Sequence, residues 1–133
     1  MKLYIAGSSD ELDRAAHWHA QAREIPGVEV MSTWPDNITE VGEANPTDAT
    51  DDQREAWAEC CLAEVQTSDV LWLLMPQEGP GRGAFFELGV AVDQGLEIVV
   101  SGLDQHASIF TALAGESYAC DTEAMEWIKG RAY

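Results

Sequence analysis

Basic residues are scarce in this chain of 133 residues. Seven lysines and arginines stand against 24 aspartates and glutamates, which gives a formal net charge of −17 at pH 7. Because contacts to phosphates need Lys and Arg, this deficit argues against a nucleic-acid polymer as a partner and against an anionic membrane surface. A small phosphorylated ligand stays open, because one arginine and several backbone N–H groups can hold it.

Long apolar runs and patterned cysteines are also missing. No apolar run approaches the ~18 residues that a membrane-spanning helix requires, and the strand-like N-terminus lacks the features of a signal peptide. Three cysteines, with Cys60 and Cys61 adjacent, give neither a disulfide framework nor zinc spacing. His17 and His19 do not share a helix face, so we expect both at the surface and no metal site. A reducing cytoplasm is the expected compartment.

Apolar segments with strand-like and helix-like patterns alternate along the chain. We expect Ser9 or Asp10 to cap the first helix and Asp121 the last, and residues 35–50 to form a long polar loop. This alternation predicts one three-layer α/β domain over residues 1–133, Rossmann-like or flavodoxin-like, with a parallel sheet between helices. The predicted strands are 2–7, 28–34, 69–75, 97–101 and 118–120, and the predicted helices are 10–24, 51–67, 83–94, 108–114 and 121–129.

A glycine-containing loop follows the third predicted strand and carries the most information. It reads Gly81-Arg82-Gly83 and opens a predicted helix that includes Glu87. Open α/β folds bind ligands at this carboxyl edge of the sheet. The lysine of a GxxxxGK[ST] phosphate loop is missing, which excludes that class. Since the positive end of a helix dipole favours an ionised carboxylate, Glu87 is a candidate nucleophile.

The order of several segments resembles a known enzyme family. These segments are Lys2-Leu3-Tyr4-Ile5-Ala6-Gly7-Ser8, then Ser68-Asp69-Val70, then Gly81-x-Gly83-x-x-x-Glu87-Leu88-Gly89-x-Ala91-x-x-x-Gly95. Together they are similar to the nucleoside 2-deoxyribosyltransferase family, which includes the related nucleotide N-glycosidases. The resemblance covers nearly the whole chain, and its most specific part is the Glu-Leu-Gly segment after the glycine loop.

The resemblance implies roles for particular residues. Glu87 would attack the anomeric carbon and form a covalent glycosyl-enzyme, and Tyr4 would orient it by a hydrogen bond. Gly7 and Ser8 would line the sugar or phosphate end of the ligand. Neither a metal nor an organic cofactor is implied. The resemblance also implies a homodimer or larger homo-oligomer, and a C-terminus, here Tyr133, that can approach the site.

Two positions depart from the family pattern. Eight residues before Asp69, where the family usually has an aspartate that handles the nucleobase, stands Cys61. A thiol is a poor general acid–base group near neutral pH, but Glu64, one turn further on, can reach the same space. Six residues before Glu87, where the family places an aspartate for a 5′-hydroxyl or a serine for a phosphate, stands Gly81. Neither substrate class is therefore indicated.

Several candidate binding residues have a structural interpretation as well. Trp34 is either a stacking wall for a base or a core or rim aromatic, and Tyr4 is also a common strand residue. Gly81 and Gly83 serve either a tight turn or the close approach of a ligand. Arg82 contacts either a 5′-phosphate or an acidic neighbour on the surface.

Two main hypotheses about function remain, besides a weaker one in which the chain is a purely structural acidic interaction protein. In the first, the chain cleaves or transfers the N-glycosidic bond of a (deoxy)nucleoside or its 5′-monophosphate through a covalent intermediate on Glu87. In the alternative, it is a non-catalytic nucleotide-binding protein on the same fold, which the thiol of Cys61 favours. The sequence does not identify the nucleobase, and it does not distinguish ribose from deoxyribose, a nucleoside from its monophosphate, or water from a second base as the acceptor of the sugar.

Overall fold

Strands and helices alternate along the chain, as predicted. The computed structural model describes residues 1–41 and 49–132, with the side chains of residues 39–41 left aside; Tyr133 and residues 42–48 of the predicted loop lie outside the described residues. The strands are β1 (Lys2–Ala6), β2 (Glu29–Val30), β3 (Val70–Leu74), β4 (Glu97–Ser101) and β5 (Glu116–Tyr118). The helices are α1 (Leu12–Arg23), α2 (Trp34–Val41), α3 (Asp51–Gln66), α4 (Arg82–Asp93) and α5 (Asp121–Arg131), with 3₁₀ turns at Ser9–Glu11, Gln105–Ala107 and Ile109–Leu113.

The sheet is parallel and has the strand order β2-β1-β3-β4-β5. All of β3 is buried, as expected for a central strand that is covered by helices on both faces. This order is the flavodoxin-like one, and it confirms the predicted fold class. From β1 the chain adds β2 on one side of the sheet and then β3, β4 and β5 on the other. The carboxyl ends of β1 and β3 therefore form the crevice where open α/β folds bind ligands.

Helices cover both faces of the sheet. On one face, Trp18 of α1 packs against Trp72 of β3, with ring centroids 5.6 Å apart. On the other face, α4 meets β1 at Tyr4. Full burial of a large apolar side chain, such as Leu71 or Leu73 of β3, contributes about 1.5–3 kcal/mol. In the described part of the chain, no helix is both long enough and apolar enough to cross a membrane.

β2 is shorter than predicted because side chains replace part of its hydrogen-bond ladder. The backbone N–H of Met31 still donates to Leu3 O at 2.8 Å. Beyond that point Ile5 N donates to Ser32 Oγ at 3.0 Å, and Trp34 Nε1 donates to Ile5 O at 2.8 Å. The predicted strand over 28–34 therefore ends at Val30. The prediction of a loop from residue 35 is also wrong, because α2 begins at Trp34.

His19 is buried, which corrects the prediction of a surface histidine. Its side chain is 1% exposed. Nδ1 lies 2.7 Å from Ala15 O, and Nε2 lies 2.7 Å from Ser32 Oγ. Because a carbonyl oxygen only accepts, Nδ1 carries the hydrogen and the Ser32 hydroxyl donates to Nε2. Burial lowers the pKa of His19, so the imidazole is neutral near pH 7. His17 is exposed, as predicted.

The helix caps differ from those expected. Ser8, rather than Ser9 or Asp10, caps the first turn, where its Oγ accepts from Asp10 N at 3.2 Å. Asp121 makes no cap on α5, whose N-cap position is Cys120. The Asp121 carboxylate instead accepts hydrogen bonds from three other side chains, so its role is in the tertiary structure.

Candidate active site at the crevice between β1 and β3

The centre of the candidate site is a pair formed by Glu87 of α4 and Tyr4 of β1. Tyr4 is fully buried, Glu87 is 8% exposed, and the Tyr4 hydroxyl donates to Glu87 Oε2. The buried stripe of α4 consists of Ala84, Glu87, Leu88 and Ala91, the spacing of a helix face that packs on a sheet. An acid therefore occupies an apolar position, with a phenol as its hydrogen-bond partner.

Burial controls the protonation of Glu87. It raises the pKa of this carboxyl group to about 8, because the interior disfavours the charged form. The expectation of an ionised Glu87 is therefore wrong for the ligand-free protein at neutral pH. The helix dipole acts mainly within the first turn, and Glu87 is the sixth residue of a helix that starts at Arg82. The Tyr4 hydroxyl is placed to stabilise the anion when it forms.

The backbone conformation of the glycine loop requires a glycine at position 81. Gly81 is buried and adopts a φ of +60°, a left-handed conformation that glycine tolerates best. A Cβ added at Gly81 would also overlap the ring of Pro76. Gly83 is different, because it is exposed and has nothing within 4 Å of its Cβ position. The turn interpretation therefore accounts for Gly81, and the structure leaves open space beside Gly83.

Arg82 is the first residue of α4 and is exposed. Within the described residues it makes no ion pair, whereas Arg14, Arg23, Arg54 and Lys129 pair with carboxylates. The interpretation in which Arg82 pairs with an acidic neighbour on the surface therefore finds no such neighbour among the described residues. Its guanidinium stands at the start of the helix that carries Glu87.

Gly7 and Ser8 follow β1 at the same edge of the sheet. Ser8 is 4% exposed, and its hydroxyl already holds the N–H of Asp10. A Cβ at Gly7 would make ordinary contacts, 3.5 Å from Leu74 Cβ and 3.6 Å from Trp34 Cζ2. Trp34 is 9% exposed, and its indole N–H is bonded to β1. The structure thus places Trp34 in the core.

The two candidate residues of α3 have different environments. Thr33 N donates to Glu64 Oε2 at 3.0 Å, and the Thr33 hydroxyl donates to Oε1, so this carboxylate ties α3 to the segment before α2. Cys61 is half-buried and packs against the hydrophobic core. Burial raises the pKa of its thiol to about 11. In the ligand-free protein, Cys61 is therefore uncharged and Glu64 is already engaged.

Comparisons with known proteins support the fold. No protein-family model and no curated protein sequence matches this chain. A conserved protein from Enterococcus faecalis V583 has a similar structure, with 23% identity, a TM-score of 0.64 and 98% of each chain covered. A CMP N-glycosidase from Clostridium botulinum, BcmB, is similar with 12% identity and a TM-score of 0.56, covering 98% of this chain and 97% of that one. At these identities the likeness shows the fold.

Two open cavities have neither Tyr4 nor Glu87 among their lining residues. One of about 520 Å³ is lined by residues 9–14 and Glu78. The other, of about 550 Å³, is at the amino edge of the sheet and is lined by residues that include Asp69 and Arg131. Among residues 1–41 and 49–132, no group of three or more His, Cys, Asp and Glu is placed to hold a metal ion. The candidate chemistry therefore rests on the Glu87–Tyr4 pair.

Proposed function

We propose that this chain cleaves or transfers the N-glycosidic bond of a nucleoside or its 5′-monophosphate, with Glu87 as the nucleophile. The observation that carries this proposal is the buried Glu87 of α4, bonded to Tyr4 of β1. The resemblance of the Gly81–Gly89 segment to the deoxyribosyltransferase family supports it. The similar fold of a protein named as a CMP N-glycosidase adds support.

In the proposed reaction, Glu87 takes part in two displacements. A carboxylate oxygen of Glu87 bonds to the anomeric carbon while the bond from that carbon to the base nitrogen breaks, and the base leaves with the electron pair. Water, or the N–H nitrogen of a second base, then attacks the same carbon, the bond to Glu87 breaks and regenerates the carboxylate, and the proton that the attacking group loses balances the one that the departed base takes up. The transition states resemble an oxocarbenium ion, whose positive charge an anionic carboxylate stabilises. Tyr4 donates a hydrogen bond to Glu87, which orients the carboxylate for attack and stabilises its negative charge when the second displacement releases it.

The protonation of Glu87 sets a condition on this mechanism. With a pKa of about 8, the free protein holds mostly the acid form at neutral pH, and the nucleophile is the ionised minority. Positive charge that develops on the sugar favours the anion. We therefore propose that the rate-determining form of the enzyme is the one with Glu87 ionised.

The exposed Arg82 supports a monophosphate as the preferred substrate. A guanidinium and the first N–H groups of a helix together favour an anionic group, and Arg82 has no ion-pair partner within the described residues. Gly81 supplies neither the aspartate nor the serine of the family. We also propose, from the resemblance alone, a cytoplasmic homodimer or larger homo-oligomer.

A non-catalytic nucleotide-binding protein is the second candidate, and α3 favours it. Cys61 is an uncharged thiol, and Glu64 is engaged by Thr33, so neither offers a free carboxylic acid to a departing base. Under this alternative, nucleotides bind and stabilise the protein but remain intact.

Base release separates the two candidates. The purified protein is incubated with nucleosides and with their 5′-monophosphates, and free base is measured by chromatography, with Glu87→Gln as the matched control. Release from the wild type without an added base indicates hydrolysis, and release only with a second base indicates transfer. Intact nucleotides together with a ligand-induced rise in melting temperature would support the binding protein. No release and no stabilisation would contradict both.

A further inference from the structure

Side chains from the 3₁₀ turn before α1 and from the first turn of α1 hold the connection between β3 and α4. Glu11 Oε1 accepts from the backbone N–H of Gln77 at 2.8 Å and from that of Glu78 at 3.3 Å. Arg14 Nη1 donates to Met75 O at 2.8 Å. This connection leads directly into Gly81 and Arg82. Its first half is therefore fixed by contacts that come from a different part of the chain.

Arg14 is itself held in one orientation by Asp121. Its Nε donates to Asp121 Oδ2 at 2.8 Å, and its Nη2 donates to Oδ1 at 2.9 Å. Nη1 also lies 3.1 Å from Glu11 Oε2. The side chains of Arg14 and Asp121 are only 18% and 15% exposed. Such a paired contact is more rigid and stronger than an exposed ion pair.

The same carboxylate is anchored to the sheet. Asp121 accepts from Ser101 Oγ at 2.6 Å and from Trp18 Nε1 at 3.0 Å, and Ser101 Oγ accepts from Trp72 Nε1 at 2.8 Å. Asp121 thus links α5 to α1 and to the carboxyl end of β4. Arg14 connects this fixed point to the loop before α4, and no other described side chain bonds to both Asp121 and Met75.

Close backbone approaches make room for this arrangement. Gly102 has a φ of +117°, and a Cβ there would lie 3.0 Å from Arg14 Nη2. Gly79, in the held loop, has a φ of +73°, and a Cβ there would overlap the Asp10 carboxylate. A side chain at Gly79 would push against Asp10 in the 3₁₀ turn before α1, and one at Gly102 would push against the Arg14 guanidinium. The β3–α4 loop therefore packs closely against the segment that leads into α1.

We propose that Arg14, together with Glu11 and Asp121, positions the β3–α4 loop so that Arg82 meets the anionic end of a bound nucleoside 5′-monophosphate. Arg14 is a positioning residue in this proposal, because it acts through the loop. The statement about the ligand rests on the proposed function. The statement about the loop stands on the contacts alone.

Amide hydrogen exchange in the ligand-free protein tests the loop directly. In Arg14→Lys, which keeps the charge and loses the planar fork, we expect the Gln77 and Glu78 amides to exchange at least about tenfold faster, as for loss of a charge-assisted contact. The matched control is Arg131→Lys, which changes an exposed pair with Glu97 at the other edge of the sheet. Unchanged exchange at Gln77 and Glu78 in Arg14→Lys would overturn the inference.

Glu11→Gln gives a second variant if Arg14→Lys does not fold. It keeps the Arg14–Asp121 pair, weakens the acceptor of the two loop amides and removes the ion pair between Arg14 and Glu11. We expect faster exchange at Gln77 and Glu78, with the amides of β3 unchanged. Faster exchange throughout the sheet would show a general loss of stability and would count against a positioning role.

Ligand binding tests the second half of the proposal through a double-mutant cycle. With cytidine 5′-monophosphate as the probe, Arg14→Lys should raise Kd by about three- to tenfold, and this effect should disappear in an Arg82→Ala background, because coupled residues are not additive. An equal rise in Kd in the wild-type and Arg82→Ala backgrounds would contradict the proposal that Arg14 acts on the ligand through Arg82. If the wild type binds no nucleoside 5′-monophosphate, the proposed function and this half fail together, while the exchange result still decides the loop.

Discussion

Glu87 of α4 accepts a hydrogen bond from the Tyr4 hydroxyl of β1, and both side chains are buried. The pair joins β1, one of the two strands whose carboxyl ends form the crevice, to α4, the helix that follows the other. An acid in an apolar helix stripe lowers stability when it is ionised without compensation. Its presence on the helix that begins at the carboxyl edge, where this class of fold binds ligands, is therefore the strongest indication of function in the described structure.

Tyr4→Phe tests the support that the phenol gives to Glu87. The variant removes one buried hydrogen bond to a group that must carry charge, so we expect kcat to fall by roughly 10- to 100-fold with little change in KM. Steady-state kinetics on the best substrate and a thermal melt give the two readouts. An unchanged kcat in a folded variant would show that Tyr4 is only a strand aromatic.

The pKa of Glu87 predicts how activity depends on pH. Burial raises it to about 8, and the nucleophile is the ionised form, so kcat/KM should rise with pH up to about pH 8 and then level off. The measurement is a pH–rate profile of the free enzyme's kcat/KM. A profile that is already flat from pH 5 to pH 8 would contradict the assignment of Glu87 as a buried nucleophile.

The same shift predicts how stability depends on pH. The folded pKa of about 8 lies above the ordinary value of 4.5, so the folded state binds the proton more tightly than the unfolded state does. The stabilisation is therefore complete below about pH 4.5 and is lost as pH rises towards 8. Denaturant unfolding of Glu87→Gln against wild type should show this component disappearing, with the variant relatively more stable at high pH. Parallel curves for the two proteins would count against the raised pKa.

Arg82→Ala tests the contact with the phosphate. We expect Kd for a nucleoside 5′-monophosphate to rise by about tenfold or more, as for loss of a charge-assisted contact, and Kd for the nucleoside to stay the same. Lys2→Ala is the matched control, because Lys2 is an exposed cation at the start of β1, away from the carboxyl edge. Equal weakening of both ligands in Arg82→Ala would mean that Arg82 only shapes the loop.

Cys61→Asp tests whether α3 faces the base. Cys61 is half-buried and packs on the core, so a carboxylate there would lose solvation, and we expect a lower melting temperature in a variant that still folds. We also expect more base release or a wider range of accepted bases. Cys61→Ser controls for polarity without charge. An unfolded Cys61→Asp variant, or one with unchanged base release, would place this position in the core rather than at the site.

The central elements were predictable because their signals are local. The continuous apolar run of β3 lies between Asp69 and a proline and glycine segment, and the structure has it at Val70–Leu74. β4 lies at Glu97–Ser101, as predicted. Glu87 was singled out by its place after the Gly81-Arg82-Gly83 loop and by the family resemblance, whereas its burial against Tyr4 depends on a strand that is distant in the sequence.

Other features depend on partners that are distant in the sequence. Strand β2 ends early because Ser32 and Trp34 form hydrogen bonds with the backbone of Ile5. His19 can be buried because the Ser32 hydroxyl forms a hydrogen bond with its Nε2. The contact between Arg14 and Asp121 spans 107 positions. No local pattern contains such pairs, and an aspartate at a helix start is more often a cap.

The most direct test of the central claim is a mass measurement of the protein after rapid acid quenching during turnover. We predict a glycosyl adduct on the wild-type chain, located by peptide mapping to Glu87 and missing from Glu87→Gln. Base release by the wild type without an adduct on Glu87 at any quench time, or base release by Glu87→Gln at the wild-type rate, would contradict the account.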